Sequence, residues 1–213
     1  MNRFAMTHLH SVLTRRLLLT GACSLALTLA ACQNSTTADL PPIEGTDVTG
    51  AAIGGDFTLI DKNRKTVNWQ DFRGKWAIFY FGYTFCPDAC PIDMQQLIEG
   101  YNLFQKAHAE AAAKVQTVFI TIDPARDTPE AVGEWTGAFS PSLLGLTGSQ
   151  AQVDKAAKAF AVLYSKGEET AGGYLMNHSR FAYLIDPEGK PVALLPVDKG
   201  AKAVASDLAK LVS

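Results

Sequence analysis

Cys86 and Cys90 stand in Phe85-Cys86-Pro87-Asp88-Ala89-Cys90-Pro91, directly after an apolar, strand-like run. Three residues separate the thiols, so a helical turn would carry them at i and i+4, on one face, with sulfurs able to converge. Two kinds of chemistry follow: a two-sulfur clamp on a soft metal ion, or a reversible disulfide. Thioredoxin-type redox motifs have only two intervening residues. A purely structural bridge would close so short a loop that it would restrict little of the unfolded chain. The remaining chemical residue is His178, in Met176-Asn177-His178-Ser179, read as a loop ahead of an apolar strand. Of the other histidines, His8 and His10 fall in an N-terminal signal-like segment, and His108 falls on the exposed side of a charged, alanine-rich helix. Two thiolates with one imidazole form a soft, mixed donor set that suits copper in either oxidation state, or zinc. Cu(I) would favour the sulfurs in low coordination, whereas Cu(II) would take the nitrogen and a further oxygen.

The other two cysteines belong to an export segment. Arg3, Arg15 and Arg16 give a positive n-region, Leu17 to Ala31 carry no charge, and Leu29-Ala30-Ala31-Cys32 closes the segment. This is similar to the lipobox of bacterial lipoproteins, in which the cysteine is acylated and becomes the first mature residue. Cys23 is a poor rival, since the apolar stretch before it is too short for an h-region. The apolar run is also shorter than the roughly 20 residues of a membrane span. Residues 1–32 are therefore read as a lipoprotein signal peptide, with Cys32 lipidated, and 33–45, polar with Pro41-Pro42, as a flexible spacer. Thr14-Arg15-Arg16 is also similar to a twin-arginine signal.

All 21 acidic residues lie after Cys32, against 16 of the 19 basic ones, so the exported part is acidic. With no basic patch and interleaved aromatics, nucleic acid is not an expected partner. The length after the signal fits one domain, 46–213.

The elements that must position the cysteines and histidine alternate between strands and helices. Asp56–Asp61 and Lys65–Trp69 read as an N-terminal β-hairpin, and Trp76–Phe81 as a strand buried on both faces. Pro87 suits a first helical position, and Pro91 should distort the first turn before a longer helix from about Asp93. Val115–Ile122 reads as a second buried strand, Pro129–Phe139 and Gln150–Tyr164 as helices, Phe181–Ile185 with Val192–Leu195 as a hairpin, and Ala201–Val212 as a closing helix. The pattern predicts an α/β fold with parallel central strands and a terminal antiparallel hairpin. Sites in such sheets gather beyond the carboxyl ends of strands, where Cys86 and Asp123 both fall.

Phe81-Gly82-Tyr83-Thr84-Phe85-Cys86-Pro87-Asp88-Ala89-Cys90-Pro91, Ile122-Asp123-Pro124-Ala125-Arg126-Asp127-Thr128-Pro129 and Asn177-His178-Ser179 occur in this order. Together they resemble the Sco/SenC family over about residues 45–213. The resemblance implies a thioredoxin-like fold, a central mixed sheet flanked by helices with an N-terminal β-hairpin. It implies one copper, Cu(I) or Cu(II), per chain, with Cys86, Cys90 and His178 as ligands and Asp123 supporting them without touching the metal. It further implies delivery to the binuclear copper A site of cytochrome c oxidase. The partners would be the oxidase subunit carrying that site, a periplasmic copper donor, and the membrane through the lipid anchor. The place would be the bacterial cell envelope, facing the periplasm, with an oxidase partner favouring the inner membrane. One departure is Asn177, where many relatives carry an acidic residue.

The alternative function is a thiol–disulfide oxidoreductase, with Cys86 and Cys90 as a redox-active disulfide that keeps oxidase cysteines reduced. Such reductases place a cis-proline opposite the cysteines, where this chain has Ser179-Arg180-Phe181. A third reading, a peroxiredoxin-like peroxidase, would use Thr84 with Arg126 or Arg180 around one cysteine. A metallochaperone is favoured over an enzyme, and disulfide formation would abolish its copper binding.

Overall fold

The computed structural model describes residues 40–170 and 173–212. Among these, the chain runs β1 (Thr46–Asp47), β2 (Thr58–Ile60), β3 (Thr66–Asn68), β4 (Trp76–Gly82), α1 (Ala89–Ala107), α2 (Ala109–Ala112), β5 (Val115–Thr121) and α3 (Pro129–Phe139). It continues through β6 (Leu144–Leu146), α4 (Gln150–Ala159), β7 (Tyr164–Thr170), β8 (Gly173–His178), β9 (Ala182–Ile185), β10 (Pro191–Leu195) and α5 (Ala201–Leu211). A mixed sheet in the order β1-β10-β9-β4-β5-β6 forms the centre. Strand β4 pairs parallel with β5 and antiparallel with β9, and β5 pairs parallel with β6. Strands β2 and β3 form the expected N-terminal hairpin.

The run Trp76–Gly82 is apolar at every position because both faces of β4 are covered. Alternation sends Tyr80 toward α1, where its hydroxyl donates to Asp93 Oδ2 at 2.8 Å. Phe119 of the next strand faces Trp135 of α3 on the same side, with ring centroids 4.6 Å apart. Phe79 and Phe81 point the other way, into a cluster of Phe57, Trp69, Phe72 and Phe160. Helix α1 buries Met94, Leu97, Ile98, Tyr101 and Phe104, the stripe that its helical spacing predicts.

Several boundaries differ from the sequence expectation. Helix α1 begins at Ala89 with Asp88 as its N-cap, so Pro87 lies outside the helix and Pro91 is its third residue. A proline in the first turn lacks only an N–H that would have no intrahelical partner, so α1 starts undelayed. Helix α4 stops at Ala159, because Ala161 adopts a left-handed backbone (φ 53°) that ends the helix. Leu163, inside the helix read from Gln150 to Tyr164, is exposed beyond that turn. The segment from Tyr164 to His178, read as helix end and loop, is a separate antiparallel hairpin, β7–β8. Helical and strand patterns overlap for short runs such as Val162-Leu163-Tyr164, and the turn at Ala161 decides between them. The spacer boundary also moves. Leu40 and Ile43 pack on the core, and the buried Asp207 carboxylate accepts bonds from the Glu44 and Gly45 N–H groups, so residues 40–45 belong to the domain. The signal segment, Cys32 and residues 33–39 lie outside the described residues. Among those described, no helix is long and apolar enough to cross a membrane.

Candidate metal centre

Cys86 follows β4 through the turn 83–85, its N–H donating to the Tyr83 carbonyl at 3.3 Å. It precedes α1, and its half-buried sulfur accepts the Cys90 N–H at 3.4 Å. The Cys86 sulfur thus meets a first-turn N–H from outside α1, so the two thiols do not share one helical face as their spacing suggested. Cys90, the second residue of α1, is fully buried. Gly82 makes room for it: a Cβ there would stand 3.1 Å from the Cys90 sulfur and 3.0 Å from the Phe119 ring.

His178 ends β8. Its Nε2 lies 3.3 Å from Cys90 Sγ, across 88 residues of sequence. Its Nδ1 donates to the Ser179 carbonyl at 2.9 Å. This contact places the proton on Nδ1 and turns the Nε2 lone pair toward the sulfurs, the arrangement a metal-binding histidine needs. The rings of Tyr80 and Tyr83 meet the imidazole edge-on at 6.5 and 6.0 Å. The thiols are free. Among the described residues, no group of three or more His, Cys, Asp or Glu side chains is arranged to hold a metal ion. Cys86, Cys90 and His178 form a hydrogen-bonded cluster of two sulfurs and one nitrogen.

The two thiols divide their roles electrostatically. The hydrogen bond from Cys90 pulls the Cys86 thiol far below its ordinary range, helped by the N–H groups of Cys90 and Asp88 at the start of α1. The same hydrogen bond and its own burial push Cys90 up. Cys86 is therefore the thiolate, and Cys90 keeps its proton until a metal or a proton acceptor takes its place. Burial likewise raises Tyr80 and Tyr83.

Three carboxylates brace this cluster. Asp127, fully buried, accepts from Thr84 N at 3.1 Å, Thr84 Oγ1 at 2.6 Å and Thr121 Oγ1 at 2.5 Å, pinning the turn that leads to Cys86. Asp123 holds Arg126 Nε at 2.6 Å and accepts the Tyr174 hydroxyl at 2.7 Å, so it reaches the cluster only through those side chains. Asp93, on α1, receives Arg180 at 2.7 and 2.9 Å as well as the Tyr80 hydroxyl. Thr84, Arg126 and Arg180 are each engaged by a carboxylate: Thr84 by Asp127, Arg126 by Asp123 and Arg180 by Asp93. His108 lies exposed at the break between α1 and α2, stacked on Phe104. Asn177 is exposed on the face of β8 opposite His178, against Gly167 of β7. Sequence reasoning passed over Asp127, Asp93 and Tyr174. Asp127 stands inside the quoted Asp123–Pro129 motif, whereas Asp93 and Tyr174 carry no local signal.

A dithiol and a histidine at the carboxyl end of a central parallel strand, in a mixed sheet flanked by helices, define a thioredoxin-like protein with a soft donor site. The thioredoxin domain of a thiol-disulfide oxidoreductase from Bacteroides vulgatus shares this fold, with a TM-score of 0.56 at 19% identity over 78% of this chain and 98% of that one. The SCO1/SenC family model matches residues 46–213, and the chain belongs to that family. It is 42% identical over 145 residues to the mitochondrial Protein SCO1 homolog 1 of Arabidopsis thaliana, covering 68% of this chain and 42% of the plant protein. The chain thus spans less than half the length of that relative. The structure of Bradyrhizobium japonicum ScoI with copper bound matches with a TM-score of 0.66 at 36% identity, over 74% of this chain and 98% of that one.

Proposed function

We propose that this protein binds one copper ion through Cys86, Cys90 and His178 and delivers it to the binuclear copper A site of cytochrome c oxidase. The observation that carries the reading is the 3.3 Å approach of His178 Nε2 to Cys90 Sγ, with the Nδ1 proton fixed on Ser179. The donor chemistry fits the metal: two sulfurs suit Cu(I), and the added imidazole extends the set to Cu(II). Cys86 offers a thiolate without prior deprotonation, while Cys90 gives up a proton as the metal enters. A half-buried Cys86 beside a fully buried Cys90 lets an acceptor's donors approach one sulfur while the other still holds the ion. Copper bound to the bacterial relative supports the same cargo. The protein acts at the periplasmic face of a bacterial envelope, attached through the lipid on Cys32, with a copper donor upstream and the oxidase subunit downstream.

Copper titration of the reduced protein tests this. One equivalent should bind, and Cu(II) should bring a thiolate-to-copper charge-transfer band. Cys86→Ser and Cys90→Ser should each abolish tight binding, and His178→Ala should weaken Cu(II) more than Cu(I), with His108→Ala as the unaffected control. A reduced protein that takes up no copper, or shows no sulfur-based band, removes the reading.

A second function, thiol–disulfide exchange, draws on the same polarised pair, since a half-exposed thiolate beside a buried, protonated thiol is the order of attack and resolution. Against it, the side chain that meets Cys90 is His178, a metal-ligand type, where a thioredoxin-like reductase would place a proline.

A further inference from the structure

The two halves of the candidate centre sit on separate pieces of the fold. Cys86 and Cys90 belong to the end of β4 and the start of α1, whereas His178 ends a two-stranded sheet, β7–β8, that among the described residues shares no ladder with the main sheet. Backbone pairing within the main sheet therefore does not fix the imidazole against the sulfurs. Arg126 lies between the two pieces. Its guanidinium carbon stands 3.7 Å from the Tyr174 ring centroid on β8, and 4.8 and 5.8 Å from those of Phe85 and Tyr83 on the cysteine loop. Asp123 orients it through Nε and takes the Tyr174 hydroxyl on its other oxygen. The Arg126 Nη2 is buried without a hydrogen-bond partner, an arrangement that costs free energy and that the surrounding ring faces offset. Tyr174 and His178, four residues apart on β8, share one face of that strand. The Tyr83 ring, under Arg126, also meets the imidazole.

We propose that Arg126, held by Asp123 and Tyr174, is a positioning residue that sets His178 against Cys86 and Cys90, and so governs how well the site accepts oxidised rather than reduced copper. The oxidation-state part rests on the copper reading above; the positioning part does not. Loss of the wedge frees the hairpin to move its histidine away, leaving the two sulfurs in place. Cu(I), which two thiolates hold, then changes little, and Cu(II), which needs the nitrogen, suffers.

The test uses the reduced full chain with Arg126→Ala, Arg126→Lys, Tyr174→Phe and Tyr174→Ala. Arg126→Ala should lower Cu(II) affinity by about tenfold and bleach its charge-transfer band, the scale of residues that orient metal ligands, with Cu(I) affinity nearly unchanged. Combined with His178→Ala it should add nothing further for Cu(II). Tyr174→Phe, which keeps the ring, should lose less than Tyr174→Ala, and Arg126→Lys should fall between wild type and Arg126→Ala. An equal fall for both oxidation states, or full additivity with His178→Ala, overturns the proposal. Amide hydrogen exchange of the metal-free protein reads the wedge without copper: exchange at Leu175–His178 should quicken in Arg126→Ala, or in Tyr174→Ala should the arginine variant fail to fold. Unchanged exchange there overturns the positioning role. Quickened exchange in a protein that binds no copper would leave that role standing and remove the copper reading alone.

Discussion

Asp127→Ala removes the acceptor of three hydrogen bonds at once, from Thr84 N–H, the Thr84 hydroxyl and the Thr121 hydroxyl. An orphaned buried donor costs about 1–3 kcal/mol, but only Thr121 is fully buried, and water can reach the half-buried Thr84 once the carboxylate is gone. Against this stands the relief of removing a buried carboxyl, whose pKa burial raises despite the three donors. The net loss should be about 2–4 kcal/mol at neutral pH, a large fraction of the 5–15 kcal/mol typical of a domain. The sign of its pH dependence follows from the raised pKa. Asp127 favours folding below the unfolded carboxyl value of about 3.9 and loses that contribution as pH rises through its folded pKa, so the substitution should cost more in acid than at neutrality. Urea unfolding of the reduced, metal-free protein measures both quantities. Thr121→Val, which removes one donor and keeps its shape, should cost about 1 kcal/mol and no more than Asp127→Ala. The released turn should also expose Cys86 to faster alkylation. A loss below about 0.5 kcal/mol, the level of an ordinary surface change, would refute the pinning role.

Alkylation across pH should show one reactive thiolate, Cys86, persisting well into acid, while Cys90 stays unmodified past the ordinary thiol range near 8.5; equal titration of both thiols would contradict the assigned polarity. The stability contribution of Cys86, whose folded pKa is depressed, is complete above about 8.5 and fades as pH falls toward its folded value, and that of Cys90 is lost as pH rises above 8.5. Urea midpoints of Cys86→Ser and Cys90→Ser should diverge from wild type in those opposite directions. In insulin reduction the protein should be a poor catalyst, because His178 crowds the thiols where a substrate backbone would dock; oxidation to a Cys86–Cys90 disulfide should still occur and block copper uptake reversibly. Vigorous multiple turnover persisting in His178→Ala would favour the oxidoreductase.

Much of this protein was legible along the chain because the signals are local. The unbroken apolar run of β4, the thiols that follow it, the Thr128-Pro129 start of α3 and the stripe of α1 each arise from neighbours in sequence. The motifs carrying the resemblance led to the family, and periodicity led to the α/β class. The hairpin β7–β8 was not legible, since β7 is polar and mostly exposed and β8 is only half-buried, and a helix pattern running through Phe160 conceals the turn at Ala161. The spacing of the cysteines suggested a shared helical face, yet the structure leaves Cys86 outside α1, its sulfur accepting the Cys90 N–H of the first turn. No local pattern could bring Tyr174 to Asp123 across 51 residues, Arg180 to Asp93 across 87, or His178 to Cys90 across 88. The sequence by itself determined which donor atoms exist and the strand end that presents the thiols. Which sulfur is charged, which imidazole nitrogen faces it, and which buried carboxylates hold the parts together were decided by tertiary structure, because burial and through-space hydrogen bonds depend on contacts that sequence distance does not encode.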